Sequence, residues 1–293
     1  MPGTAIQMTR LTERVDALKD CGKGETDHSA AARFGLIAHY REVHVKRVSI
    51  FQPILIVVLS GCKTIYAQGR FVRACAGEVL ALSAPAIIDL TNEPAANSRL
   101  YKSLIIPFNA QLLKQVKNQT NGKSTGGTLQ QVIKYEQDPL LLTSLEHYLE
   151  HVGSLTPAVL EHRLLEILIV LIERNAALLD FSANRQPWSQ RVRMVLGEDL
   201  SKNWEFGELA KRLAVSQSTL RRSLQKEGTG FRDMLAELRL NSGLMQVLQT
   251  SQPINQIALD SGYQSVSRFT QNFHRRFGLP PRKLRDAMKS HSE

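Results

Sequence analysis

Ten side chains in the last hundred residues have the chemistry to read the edges of nucleic-acid bases. Gln217, Ser218, Arg221, Arg222 and Gln225 form one set, and Val266, Ser267, Arg268, Gln271 and Asn272 the other. An Arg guanidinium can donate two parallel hydrogen bonds to guanine O6 and N7, and a Gln amide can pair with adenine N6 and N7. The spacing places each set on one side of a helix. Leu220 and Leu224, and likewise Phe269 and Phe273, lie four residues apart and define the opposite, apolar side. Downstream, Arg275, Arg276, Arg282, Lys283 and Arg285 are cations suited to phosphate. Any one of these residues alone could equally be a solvated surface group. The sets as wholes resist that reading, because the reverse side of each helix is apolar.

Two helix-turn-helix units must position these sets. One runs through Glu208–Leu220 and the other through Gln256–Phe269. They form an internal repeat. Leu209, Ala210 and Val215 correspond to Ile257, Ala258 and Tyr263 at an offset of 48, and Ser216, Leu220 and Leu224 to Ser265, Phe269 and Phe273 at 49. Ala210 and Ala258 let paired helices approach closely. Gly262 permits a left-handed turn. Ser216 and Ser265 can cap the helices that follow. The whole region reads as seven helices: Gln190–Leu200, Glu205–Leu213, Ser218–Lys226, Phe231–Leu248, Ile254–Ser261, Ser267–Phe277 and Pro281–Lys289. The long fourth helix spans about 27 Å at 1.5 Å per residue. It is a plausible strut between contacts in major grooves that recur about every 34 Å on one face of B-DNA.

Residues from about 190 to 287 resemble the AraC/XylS family of bacterial transcription regulators. The resemblance is carried by Ile257-Ala258, by Ser261-Gly262-Tyr263-Gln264-Ser265-Val266-Ser267-Arg268-Phe269, and by Phe273-His274-Arg275-Arg276-Phe277-Gly278-Leu279-Pro280-Pro281. Tyr263 and Leu284 depart from the family's usual Phe and Tyr. The resemblance implies that Ser218, Arg222, Ser267 and Gln271 occupy base-contacting positions. Phe51–Lys63 looks like the family's cupin-like sensor domain. Ala76–Pro85 is similar to the Pro-Gly-Asp turn and strand of that barrel.

The rest of the chain suits such a module. From Arg185 onward there are 18 Lys and Arg against 10 Asp and Glu, and before it 19 against 17. A basic half joined to a near-neutral half fits a polyanion-binding unit attached to something else. Short strands are expected at Leu36–Tyr40, Ile54–Leu59, Lys63–Ala67, Arg70–Arg73, Val79–Leu82, Ile87–Leu90 and Leu104–Ile106, spaced as in a barrel or sandwich. The Ile54–Leu59 run is apolar throughout and reads as buried on both faces. Thr120–Gly127 reads as a loop, Leu140–Glu150 as a helix, and Thr156-Pro157 as the start of a second helix reaching about Leu179. The apolar surface of that second helix, with Leu160, Leu164, Ile167, Leu168 and Leu171, either meets a second copy of the chain or packs on its own barrel. Phe181–Pro187 reads as a linker.

The expected fold is therefore α+β. It comprises a polar arm over 1–30, a cupin-like β-barrel sensor over 31–130, a helical linker and dimerisation segment over 131–182, and an all-α tandem helix-turn-helix domain of seven helices over 187–289. Cys21, Cys62 and Cys75 form no Cys-x-x-Cys pair, and their odd number argues against a disulfide framework and for a reducing cytoplasm. His39 and His44 read as ordinary histidines, and no residues form a metal cluster. The longest apolar runs fall short of the roughly 20 residues that span a bilayer. No export signal is expected.

These features predict a sequence-specific transcription regulator, expected to be an activator, that needs no cofactor. Its partners would be double-stranded promoter DNA, RNA polymerase, a small apolar effector and a second copy of itself. Two alternatives compete with it. A non-specific architectural binder fits poorly with Gln217, Arg222 and Gln271 at base-reading positions. An enzyme fused to the DNA-binding unit would need a metal cluster or an activated Cys in a Pro-Cys-His setting, and neither occurs.

Overall fold

The computed structural model describes residues 2–21, 34–120, 130–150, 156–182 and 187–289. Two compact units are present. One consists of Asn184–Ser290 with His44–Ser49, and the remainder of the described chain makes the other.

The first unit begins with a helix, α1 (Pro2–Cys21). Eight strands follow along the chain: β1 (Gly35–His39), β2 (Val43–Ile50, whose His44–Ser49 is counted with the second unit), β3 (Ile54–Ser60), β4 (Cys62–Ala67), β5 (Arg70–Cys75), β6 (Val79–Leu82), β7 (Ala86–Glu93) and β8 (Tyr101–Pro107). Then come α2 (Ala110–Gln119), β9 (Val132–Tyr135), α3 (Pro139–Glu150), α4 (Pro157–Arg174) and a 3-10 turn over Ala176–Ser182. A five-stranded sheet has the order β1-β8-β3-β6-β9, and a four-stranded sheet the order β2-β7-β4-β5.

A closed barrel was expected, and the strands do not form one. β1 and β9 remain the edges of the larger sheet, and β2 and β5 those of the smaller. The helices explain why. Leu55, Val57 and Leu59 of β3 share one core with Leu11 and Val15 of α1, Leu142 and Leu145 of α3, and Leu164 and Leu168 of α4. Closing a barrel requires a sheet to curl until its first strand bonds its last. A sheet whose whole face is backed by helices stays open. The expectation that Ile54–Leu59 is buried on both faces holds, since its central residues are all buried. The helix side takes alternate residues, and Ile56 and Val58 face the other way.

Several other expectations change. Within the stretch expected to be a polar arm over 1–30, Pro2–Cys21 is a helix, and its Leu11 and Val15 are fully buried. The second helix stops at Arg174, where Asn175 turns into the 3-10 segment. Leu160, Leu164, Ile167, Leu168 and Leu171 are all buried within their own unit. Cys62 and Cys75 face each other in the β4–β5 register with Cα atoms 4.0 Å apart, and they are joined as a disulfide. Strand pairing, rather than the odd number of cysteines, decides which thiols meet. Most of the Thr120–Gly127 loop, and residues 183–186 of the linker, lie outside the described residues. No helix among the described residues is long and apolar enough to cross a membrane.

The resemblance around Gly77 has a structural basis. Gly77 takes φ +90°, and Glu78 Oε2 accepts a hydrogen bond from the Cys75 amide at 2.7 Å, closing the β5–β6 turn. Lys134 of β9 pairs with the same carboxylate at 2.8 Å, which holds the edge strand in place.

Some charged and polar side chains of this unit are wholly buried. Lys63 on β4 is 1% exposed and donates to Asn92 Oδ1 of β7 at 2.5 Å. Burial pushes its ammonium down to about 7. His39 on β1 is also fully buried, and neither ring nitrogen has a hydrogen-bond partner among the described residues. Burial, aided by the charge of Lys63, pushes this imidazole down to about 3. Lys102 on β8 faces the other side of the sheet and holds Asp16 of α1 at 2.6 Å.

The second unit has seven helices: α5 (Trp188–Gly197), α6 (Phe206–Arg212), α7 (Gln217–Lys226), α8 (Phe231–Gln249), α9 (Ile254–Asp260), α10 (Val266–Phe277) and α11 (Pro281–Ala287). α8 lies at its centre and contacts α5, α9, α10 and α11.

Candidate nucleic-acid interface

The two helix-turn-helix pairs, α6–α7 and α9–α10, repeat each other bond for bond at the turn. In the first, the amides of Leu213, Ala214 and Val215 donate to the carbonyls of Leu209, Lys211 and Ala210. In the second, those of Ser261, Gly262 and Tyr263 donate to Ile257, Leu259 and Ala258. The offset is 48 throughout. Gly262 has φ +79°, as its residue type predicts, and a Cβ there would lie 2.2 Å from the Leu200 carbonyl oxygen. Ala214 holds the matching position at φ +55°, in the left-handed region without a glycine's freedom. That region costs an L residue roughly 1–2 kcal/mol. Ala214→Gly is therefore expected to stabilise the second unit by about 1 kcal/mol. Both tryptophans of the chain, Trp188 and Trp204, lie in this unit. Urea unfolding followed by their fluorescence checks the gain, and an unchanged midpoint would refute it.

Caps start both exposed helices. Ser216 Oγ accepts from the Thr219 amide at 3.2 Å, and Ser265 Oγ from the Arg268 amide at 3.4 Å. The buried sides are as spaced. Leu220 and Leu224 anchor α7, while Phe269, Phe273 and Phe277 anchor α10. The three rings pack as a row, Phe269 tilted against Phe273 and Phe273 edge-to-face with Phe277, with centroids 5.5 Å and 4.7 Å apart. Gly243 on α8 makes room for it, since a Cβ there would meet Phe269 at 2.6 Å.

The ten base-reading candidates fall on the open sides. Gln217, Ser218, Arg221, Arg222 and Gln225 are exposed on α7, as are Val266, Ser267, Arg268 and Gln271 on α10; Asn272 is half-buried. Some are already engaged. The Arg221 guanidinium sits 5.4 Å from the Phe206 ring centroid. Ser218 Oγ shares a 2.9 Å hydrogen bond with Ser216 Oγ. Asn272 Oδ1 accepts from Arg275 at 2.9 Å.

The five phosphate candidates divide. Arg275, Arg282 and Lys283 are exposed. Arg276 is turned inward, donating to Glu237 Oε1 of α8 at 2.8 Å. Arg285 is also part-buried. Its Nε donates to the Val247 carbonyl at 3.1 Å and its Nη1 to the Gln252 carbonyl at 3.0 Å, which ties α11 to the end of α8 and the loop beyond it. Arg239 was not among the candidates. It donates to the carbonyls of Leu200 and Lys202, each at 2.9 Å, and braces the loop beside Gly262. No group of acidic, His and Cys side chains among the described residues could hold a metal ion.

Two family models match the chain. One, a helix-turn-helix domain, covers residues 209–287; the other, the ExsA N-terminal regulatory domain, covers residues 53–181. The chain is 27% identical over 188 residues to the transcriptional activator CfaD of Escherichia coli, which is 60% of this chain and 69% of CfaD. It is 29% identical over 119 residues to the dual transcriptional regulator Rns of Escherichia coli, covering 40% of this chain and 45% of Rns. It is 30% identical over 125 residues to the Escherichia coli activator AggR, covering 42% and 47%. The chain thus spans less than half of the last two relatives. Among solved structures, ToxT of Vibrio cholerae aligns with a TM-score of 0.63 at 13% identity, over 88% of this chain and 99% of that one. ToxT bound to an unsaturated fatty acid aligns at 0.59 and 13%, over 89% and 97%.

Proposed function

We propose that the chain, which closely resembles the AraC/XylS family of DNA-binding transcription regulators, reads promoter DNA through α7 and α10 in two successive major grooves. The observation that carries this reading is the doubled turn. Two capped helices, built alike, each hide an apolar side and leave Arg, Gln and Ser on the other. Arg222 and Gln271 are the main base readers. Arg275, Arg282 and Lys283 hold phosphates, while Arg276 and Arg285 serve inside the unit.

The test is binding by fluorescence anisotropy across a salt series, with a selected target duplex and a random one. Arg222→Ala and Gln271→Ala are each expected to cost about 1–3 kcal/mol on the target and little on random DNA. Arg282→Ala is expected to weaken both and to lower the salt slope by about one. Equal affinity of the unaltered protein for both duplexes at moderate salt would overturn the reading.

Control lies with the first unit. ToxT has been solved with an unsaturated fatty acid and with a naphthalenyl-butenoic acid. That supports a small apolar acid as the effector here. A homodimer, a contact with RNA polymerase and a cytoplasmic location complete the proposal. The apolar side of α4 is spent within its own unit, so a second copy would meet another surface.

A further inference from the structure

The Cys62–Cys75 bridge joins strands that are already paired. β4 and β5 keep an unbroken antiparallel register from Cys62 opposite Cys75 to Ala67 opposite Arg70. Gln68 and Gly69 between them have φ of +51° and +73°, the tight two-residue turn that suits a hairpin. β4 is paired along its other side with β7. The hairpin therefore keeps its shape when the bridge opens.

The sulfurs are also within reach of solvent. The neighbouring pair, Lys63 opposite Ala74, is buried, so Cys62 and Cys75 point to the outer face of the four-stranded sheet. Both cysteines are partly exposed. A DNA-binding regulator acts where reductants hold thiols reduced, and disulfides in such compartments are mostly transient ones that serve catalysis or redox sensing.

Cys75 further begins the turn that pins the edge of the larger sheet. Its amide donates to Glu78 Oε2, and the Glu78 carboxylate holds Lys134 of β9. Gln137, just past β9, donates to the Ala76 carbonyl at 2.8 Å. β9 is a four-residue edge strand paired with β6. Short edges of this kind sit at the low-stability end of a fold, where one lost tether is felt most.

We infer that Cys62 and Cys75 form a reversible redox couple, opened by a dithiol, whose state sets how firmly the Cys75–Glu78 turn holds β9. In the opening step a reductant thiolate attacks one sulfur, forms a mixed disulfide and releases the other cysteine as a thiolate, which takes up a proton. The second thiol of the reductant then displaces the remaining cysteine. Two electrons and two protons pass to the protein, and the reductant leaves as a disulfide. The inference rests on the regulator reading for its compartment alone.

The test uses the full chain without denaturant, treated with dithiothreitol and then with oxidised glutathione. Alkylation and mass spectrometry of the Cys62 and Cys75 peptides read the bridge, and hydrogen exchange reads its effect. The bridge is expected to open and re-form. Exchange at the turn and at β9 is expected to rise several-fold on opening and to fall again on closing, with β3 and β8 unchanged. The double variant Cys62→Ala, Cys75→Ala is expected to exchange like the reduced wild type and to ignore dithiothreitol. The inference is overturned if the cysteines stay unbridged in oxidised glutathione or if the bridge resists dithiothreitol. Equal exchange at β9 in both states, or a double variant that still responds, would overturn it too. Target-duplex binding by the same preparations keeps the two readings apart. Target discrimination with an unresponsive bridge sinks only this inference, and a responsive bridge without discrimination sinks only the DNA reading.

Discussion

Phe273→Ala is expected to lower the stability of the second unit by about 3–5 kcal/mol, the usual cost of emptying a buried phenylalanine site. Phe273 is fully buried and is the middle of the three rings, touching Phe269 on one side and Phe277 on the other. Neither neighbour can collapse into the space without losing its own contact with α8 or α11. A domain of this size has only about 5–15 kcal/mol in all, so the variant would sit near its unfolding midpoint. Because Trp188 and Trp204 report on this unit alone, their fluorescence should show the transition at much lower urea, and target binding should weaken in parallel. A midpoint like that of the wild type would mean that the aromatic row is not the core of the second helix-turn-helix.

Lys63→Met is expected to do the reverse in the first unit and stabilise it by about 1–3 kcal/mol at neutral pH. Burial lowers the Lys63 pKa from 10.5 to about 7. Between those values the unfolded chain binds a proton that the folded chain does not, so stability rises with pH across that window. Below about 7 both states are charged and the full cost of burying the cation is present. His39 acts in the adjoining window. Its pKa falls from 6.5 to about 3, so its contribution is complete above about 6.5 and is lost as pH falls. Removing Lys63 should flatten the rise above pH 7 and leave the fall below 6.5. Part of the gain is returned, because the Asn92 carbonyl oxygen loses its donor. Hydrogen exchange of the β3, β4 and β8 peptides at pH 7 and pH 9.5 would measure both effects. Equal protection of the two proteins at pH 7 would contradict the prediction.

The second unit was legible in the sequence because its signals are local. Two pairs of large apolar residues four apart, two serine caps and Gly262 lie within a few residues of what they shape. The strands were less so. β2 carries no clear period, because its inward Val43 and Val45 alternate with His44 and Lys46 only until Arg47, whose φ of +53° shifts the alternation by one residue. Whether a sheet closes depends on where helices far along the chain come to rest, and no period in the strands records that. The same holds for single side chains. Nothing near Arg276 announces Glu237, which captures it from α8, and nothing near His39 announces that pairing with β8 will seal it from water. Cations and histidines are easy to find in a sequence. Whether they face water is decided by distant partners.

α8 has one further consequence. Both reading heads hang on a single uninterrupted helix of 19 residues. A helix converts residue count into rotation as well as length, about 100° and 1.5 Å per residue. One inserted residue would therefore swing one head around the axis by more than a quarter turn. An added pair of turns would nearly restore the direction but move the heads about 10 Å apart. The angular phase and the separation of the two contacts cannot be adjusted independently. A chain of this design is geared to one helical repeat of its target, and related chains could change the distance between their contacts only in coarse steps.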